Sequence, residues 1–449
     1  MAIAAGVSMA LVMPGFPIGF LSFMALIPFL FSLENGSFFS FALTGFSFFL
    51  LNLRWLLTLA SFNKLAILGS IILFLYLSVY FGLLGIVMRA IKNRWQSDGF
   101  ILVTFPVFFT LFEVLRNIGP YSLGFSSLYQ SLYLYPQLIQ VAAYLGPWSI
   151  TALIALVNVC LYLAIARGKA AYGIGALVVI LAMYVVWFLP VDDDGQRVEA
   201  AIISSQVSQE YKLDERNLDT LMQKYTALGA EAAILEPDLI VFPESIVPGY
   251  ILQRKSLFQA FSDLAKDSDA LVIFGTGDHV SGRIYNSVAA ISSDGKLIGT
   301  YNMVHLVPFG EVIPGRSLLE KLGFGGFMDL LLPVEVTAGK HYQPLLEIGS
   351  PICFESTLPA ASRSFASNGS SLLAIVTNDA WFAGSSELDA HFACAVFRAV
   401  ESRRYVLQAA NGGISGAIDL RGRIIKSQEG EGVLTATVTK IEALSLIHI

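Results

Sequence analysis

The hydrophobic pattern changes character once along this chain. Over the first 190 residues apolar positions run almost without interruption, with neither the two-residue nor the 3.6-residue alternation of half-exposed elements. Seven runs stand out, at 1–13, 16–33, 38–60, 65–88, 99–115, 138–164 and 171–189. Most approach the roughly 20 apolar residues that a helix needs to cross a bilayer. The first is short and ends at Pro14, so it reads as a clipped or tilted span; no charged segment precedes it as in a signal peptide. From about residue 196 the pattern becomes short β-branched runs alternating with amphipathic stretches. "VEAAIISSQV", "DLIVFPES", "ALVIFGTG", "SLLAIVTND" and "VLTATVTK" have strand length. "LDTLMQKYTALGAEAAI" and "SLFQAFSDLAK" have helical spacing. "AAISSDGKLIGTYN" and "GAIDLRGRIIKSQ" read as hairpins turning at "DG" and "RG". The predicted architecture is a multi-span α-helical membrane domain over 1–190, followed by an α/β layered domain over 195–440.

Charge follows the same division. Residues 1–190 hold Glu34, Asp98 and Glu113 as their only acids, leaving 31 of the 34 acidic and 20 of the 28 basic residues to the rest. Arg89, Lys92 and Arg94 fall in one inter-span loop, and Arg167 and Lys169 in another on the same side. That side is then cytoplasmic, and the polar domain after the last span faces out of the cytoplasm. Arg54, Glu113 and Arg116 are costly in hydrocarbon unless paired or interfacial, so they read either as a structural ion pair or as part of a lipid entry site. "NIGPYSLGFSSLYQSLYLYPQ" reads as an interfacial loop with tyrosines at head-group level. No stretch is basic enough for nucleic acid.

In layered α/β domains, polar residues just past the C-terminal ends of strands tend to line the site. Four stretches qualify: Pro243-Glu244-Ser245, "HLVPFGE" (305–311), Cys353-Phe354-Glu355 and Asn378-Asp379. A thiol and a carboxylate at two strand ends outline a nucleophile and its base, provided burial raises the carboxylate's pKa. A buried structural cysteine and a helix-capping glutamate are the other reading. Cys160, in a lipid-like run, and Cys394, in a helical one, read as buried structural thiols. A Cys353–His305 dyad is a further arrangement to test. His279, His341 and His391 lack metal-ligand spacing, so no metal or cofactor is expected. Trp381 and Phe382 read either as walls of an apolar pocket or as core. "NGGISG" (411–416) reads as a glycine turn near the site.

"FPES", "YNMVHLVPFGEVIP", "PICFES" and "TNDAWFA…HFACAVFRAVESRRYVLQAANGGISG" together resemble the apolipoprotein N-acyltransferase family of the nitrilase (carbon–nitrogen hydrolase) superfamily. The likeness runs through nearly the whole chain, including the multi-span half. It implies a nitrilase-like αββα sandwich outside the bacterial cytoplasmic (inner) membrane. It also implies ping-pong acyl transfer from a phospholipid, through a cysteine thioester, to the α-amino group of a diacylglyceryl-cysteine on an apolipoprotein. Matched residue by residue, the family's base falls on Glu244 and its nucleophile on Cys353. Glu311 and Glu355 match further functional carboxylates. Phe354 stands where the family usually has tyrosine, and Leu213 where a loosely matched stretch usually has tryptophan. His305, Asn378 and Trp381 are expected to support or line the site.

Two departures matter. The family's catalytic lysine lies two residues before the histidine of "HLVPFGE", and here that position is Met303. Methionine supplies no charge to a thiolate or oxyanion, a loss of roughly 100- to 1,000-fold in rate. Either the chain is disabled or a cation from elsewhere in the fold substitutes. The second departure is residues 441–449, too short for the family's closing span, which is therefore expected to be missing. Beside the acyltransferase stand two alternatives: a catalytically silent phospholipid- or lipoprotein-binding homologue, and a membrane-tethered amidase.

Overall fold

Aromatic and aliphatic residues on every face leave the N-terminal segments no option but helices packed on one another. The computed structural model describes residues 1–95 and 97–442. They form two compact units, Met1–Val191 with Gly384–Phe397, and Asp192–Ala383 with the residues from Arg398 onward. In the first unit four described helices are long and apolar enough to cross a membrane: Leu65–Trp95, Asp98–Leu115, Trp148–Arg167 and Ala170–Phe188. The pair Phe38–Asn52 and Arg54–Ser61, bent by 53°, makes a fifth if taken as one span.

Seven spans are expected from the apolar runs, and the difference has local causes. The helix Ala2–Ala10 has nine residues, about 14 Å at 1.5 Å per residue, half a bilayer. The run from 138 is interrupted at Gly146 (φ +77°) and Pro147, so its regular helix starts at Trp148. Glu113 accepts from the Leu128 amide and the Thr151 hydroxyl, both at 2.8 Å, while Arg116 donates to the Phe125 carbonyl at 2.9 Å. The buried pair therefore ties down the segment after the helix, as its structural reading requires. Tyr129 and Tyr133 are buried in this segment, and Tyr121 is exposed. Most of this segment is thus packed against the protein.

The second unit is built on eleven strands: β1 Gln196–Ser204, β2 Leu239–Val241, β3 Leu271–Val280, β4 Arg283–Ile291, β5 Leu297–Asn302, β6 Ile348–Gly349, β7 Leu372–Asn378, β8 Tyr405–Asn411, β9 Ile414–Ile418, β10 Ile424–Glu429 and β11 Gly432–Lys440. One sheet runs β11-β1-β2-β3-β4-β5 and the other β10-β9-β8-β7-β6. The central pairs β1–β2, β2–β3, β6–β7 and β7–β8 are parallel; β3–β4–β5 and β8–β9–β10 turn back as hairpins, and β11 closes the first sheet antiparallel to β1. β1 packs against β8 and β9, bringing the sheets face to face. β7 and β8 are buried at every residue, which explains their unbroken apolar sequence. The helices Leu218–Ala233 and Lys255–Ser268 cover the first sheet through Tyr225, Phe261 and Phe242, with Phe261 stacked on Phe274 at 4.6 Å. This is an αββα nitrilase fold. The end of the tail 441–449 lies outside the described residues.

Candidate active site

β2 is only three residues long and fully buried between β1 and β3. The chain must therefore leave the sheet at once, and it turns at Pro243-Glu244-Ser245, with Ser245 left-handed (φ +45°). The turn lies directly on β3. Gly275 donates to the Pro243 carbonyl at 3.1 Å, and a Cβ on it would stand 2.4 Å from the Glu244 Cα. Backbone cannot yield as a flexible side chain can. Gly275→Ala is therefore expected to displace Glu244, lowering activity by at least about tenfold through misplacement alone and stability by ~1–3 kcal/mol. Thermal unfolding in detergent and the catalytic rate check both effects; unchanged values would refute the packing argument.

The nucleophile candidate is held as tightly. Ile352 bridges to Val376 of β7, and Cys353 follows in a left-handed conformation (φ +44°) at the head of the short helix Cys353–Thr357. Such strain in a non-glycine residue persists only where the surroundings impose it. Glu355 is one source. Its two oxygens accept from Tyr301 Oη at 2.6 Å and from the Val304, His305 and Ile352 amides at 2.9, 3.1 and 3.2 Å. Buried Arg398 is the other, donating to the Ser356 and Thr357 carbonyls at 3.3 and 2.8 Å while pairing with Glu401 at 2.6 Å.

These turns bring the Cys353 thiol near enough to the buried Glu244 carboxyl to favour its ionised form. Asn286 joins that carboxyl to another: its Nδ2 donates to Glu244 Oε1 at 2.8 Å and to Glu311 Oε1 at 2.9 Å. Glu311 Oε2 accepts from the Val307 amide at 2.9 Å. The buried Met303 side chain reaches the same place, with Sδ 3.8 Å from Asn286 Nδ2. Position 303 thus faces the acids, and an uncharged group occupies it. The cation at hand is Lys212, buried on the helix Gln209–Leu213, with Nζ 2.9 Å from the Glu244 carbonyl oxygen.

Burial dominates the acid–base character of Glu244, Glu311, Glu355 and Lys212. It raises the Glu244 carboxyl, opposed by Asn286 and by the charge of Lys212. It raises Glu311 and Glu355 to about 7 and pushes Lys212 down to about 8. A carboxyl with a raised pKa is poised to accept a thiol proton near neutral pH. The same shifts govern stability. Between pH 4.5 and about 7 the folded chain holds protons at Glu311 and Glu355 that the unfolded chain has released. Their contribution is full below pH 4.5 and is lost as pH rises through 7. Glu311→Gln is expected to reduce the fall in unfolding midpoint between pH 5 and 7.5, measured by thermal scans; an unchanged slope would remove Glu311 as its source.

Other expected site residues take supporting places. Phe354 is buried, and His305 packs against its ring at 6.1 Å with an imidazole pKa lowered by burial. Asn378 ends β7, and its amide groups bond Gln209 and Asn411 at 2.8 and 2.7 Å. Trp381 is half-buried on the turn Asp379–Phe382. In the glycine turn, Gly412 is left-handed (φ +70°), and a Cβ there would stand 2.7 Å from the Ala380 Cα. Asn286 and Lys212 escaped the sequence reading. Asn286 lies inside β4 rather than at a strand end, and Lys212 resembles a surface lysine in a polar run. The one signal for Lys212 was its i, i+3 spacing from Gln209, which places both on one helical face.

A nitrilase fold joined to a chain segment of apolar spanning helices defines a membrane-embedded member of the carbon–nitrogen hydrolase class. The carbon-nitrogen hydrolase family matches residues 202–444, and the apolipoprotein N-acyltransferase N-terminal domain matches residues 5–160. The chain belongs to the apolipoprotein N-acyltransferase family and is an acyltransferase. Among its relatives, the apolipoprotein N-acyltransferase of Geobacter metallireducens is 31% identical over 452 residues, covering 94% of this chain and 85% of that one. That of Thermotoga maritima is 30% identical over 95% of this chain and 84% of its own. Among solved structures, Saccharomyces cerevisiae Nit3, of branch 10 of the nitrilase superfamily, is 19% identical with a TM-score of 0.43, covering 56% of this chain and 93% of that one.

Proposed function

We propose that the chain transfers an acyl group from a phospholipid to the N-terminal amine of a diacylglyceryl-apolipoprotein, through a thioester on Cys353. The observation that carries the reading is the meeting of two strand-end turns, one presenting Cys353 in left-handed backbone and the other the buried Glu244 carboxyl, near enough for the thiol to act on that carboxyl. The thiol proton passes to the Glu244 carboxylate, and the thiolate attacks the ester carbonyl carbon. An S–C bond forms and the ester C–O bond breaks; the departing lysophospholipid oxygen takes the proton held by Glu244. In the second half the acceptor amine attacks the thioester, giving one proton to Glu244. The C–S bond breaks, and the released thiolate recovers that proton. The intermediate divides one difficult transfer into two easier ones. Glu311, Glu355 and Asn286 hold the base and the nucleophile turn in place.

The membrane unit supports work on the extracytoplasmic side of the bacterial inner membrane. Arg167 pairs with Asp98 at 2.8 Å, so the end of Trp148–Arg167 and the start of Asp98–Leu115 share one end of the helical unit. Arg89, Lys92, Arg94 and Lys169 adjoin those helix ends in sequence, and positive-inside bias makes that end cytoplasmic. Ala170–Phe188 then leads the chain outward.

Met303, buried beside Asn286 where the family's lysine is expected, favours a second reading, a catalytically silent homologue that still binds these lipids. Intact-mass spectrometry of the detergent-purified protein after incubation with phospholipid separates them. A mass increase of one acyl group on the unmodified chain, absent from Cys353→Ala, is the expected result. An adduct that forms only in Met303→Lys would establish the silent reading instead.

A further inference from the structure

The missing charge at position 303 has a counterpart across the site. Lys212 is buried on a helix of only five residues, whose neighbouring side chains Tyr211 and Leu213 are exposed. The segment leading into this helix is anchored with unusual thoroughness. Asn411 Oδ1 accepts from the Val207 amide and the Ser205 hydroxyl, both at 2.9 Å, and Asn411 Nδ2 returns a bond to the Val207 carbonyl at 2.9 Å. Asn378 Nδ2 holds Gln209 Oε1 at 2.8 Å. The ends of β7 and β8 thereby aim the Lys212 ammonium at the Glu244 turn, where its Nζ bonds the Glu244 carbonyl oxygen. Taking an ammonium out of water is unfavourable, and nothing in a surface helix requires it. Negative charge does. The ionisable groups acting on Lys212 are Glu244, Cys353 and Asp379, and Glu311 and Glu355 lie beside that set.

We propose that Lys212 supplies the positive charge that stabilises the Cys353 thiolate, in place of a cation at position 303. The proposal rests on the assignment of Cys353 and Glu244 as nucleophile and base. When the thiol proton moves to the Glu244 carboxylate, the pair's single negative charge moves from oxygen to sulfur. Lys212 bonds the Glu244 turn and acts electrostatically on both residues, so its charge serves either state without moving. Met303 can then be apolar because the site already holds a buried cation. Lys212 is a positioning residue in this scheme: it acts through Cys353 and Glu244 and exchanges no proton with substrate.

The test needs no lipid. Alkylation of Cys353 by iodoacetamide in the full-length, detergent-purified protein reports its thiolate fraction as a function of pH, with the alkylated residue identified by mass spectrometry. The native midpoint is expected below the ordinary thiol value of about 8.5. Lys212→Met should raise it by about one unit or more, leaving roughly tenfold less thiolate at pH 7. Lys212→Arg should keep the native profile, and Met303→Lys added to Lys212→Met should restore it. An unchanged profile in Lys212→Met overturns the proposal. Because Lys212→Met can fail to fold, Met303→Lys alone gives an independent decision. With Lys212 already in service, it should raise the acyl-transfer rate by less than about tenfold. A gain of about 100-fold or more would mean that the charge had been missing, and the proposal would fall. If alkylation shifts as expected while phospholipid leaves no adduct, Lys212 keeps its role and the reading of the acyl donor fails.

Discussion

Replacing Cys353 with alanine is expected to lower acyl transfer on the order of 10⁵-fold, the scale on which removal of a covalent nucleophile acts. The loss should come with little change in stability. Alanine keeps the same left-handed strain at a position where Cys353 already has φ +44°, and the turn is fixed by Glu355 and Arg398 rather than by the thiol. What disappears is the atom proposed to form the bond to the acyl carbon, beside the Glu244 carboxyl on which it acts. Transfer of a labelled acyl chain to a diacylglyceryl-peptide, beside a thermal scan, measures both. Activity above about 1% of native would take Cys353 out of the reaction.

Glu355→Gln is expected to be the most damaging of the supporting substitutions. The carboxyl accepts from four donors with two oxygens. An amide keeps one acceptor oxygen and turns an NH₂ group toward the remaining donors. At ~1–3 kcal/mol for each buried donor left unsatisfied, the variant should lose about 3 kcal/mol or more. Activity should fall at least about 100-fold, because Glu355 joins the 304–305 segment to the Cys353 turn. Burial raises Glu355 to about 7, so the native protein loses its contribution as pH rises through 7. The variant has no such group to titrate. The difference between the two should therefore be widest below pH 4.5, smaller at pH 6 and narrowest by pH 8.5, and thermal scans at pH 6 and 8.5 would show the decline. Equal midpoints at pH 6 would refute the four-donor account.

Much of this site could be read in the sequence because of where strands end. Glu244 and Cys353 follow buried runs, and a residue leaving a buried strand has nowhere to go but the sheet's carboxyl edge. Glu311 and Glu355 were found with their motifs, as was the absence of charge at Met303. Asn286 could not be found that way. It lies within β4, where period-two patterning marks it as one more polar alternate, and its importance comes from two carboxylates contributed by other segments. Lys212 was hidden for the opposite reason. Its segment "QEYKLDE" has the composition of a solvated helix, and burial there depends on Asn378 and Asn411, far away in sequence. Asn378 itself was expected at the site, but its bonds to Gln209 and Asn411 give it the task of holding that segment.

By itself the sequence determined the division at about residue 190, the helical and layered characters of the two parts, and the strand ends that present the thiol and its proposed base. Local periodicity and charge settle these, because a side chain's distance from water along one element follows from spacing alone. Only the tertiary structure decided which apolar runs became full-length helices, which segments joined which unit, and which cation faces the acids. Residues 384–397 pack with the N-terminal unit although they read as part of the C-terminal domain. Lys212 meets Glu244 through folding of residues 32 positions apart. Electrostatic energy depends on distance in space and on burial, and neither is a property of a residue's neighbours in the chain.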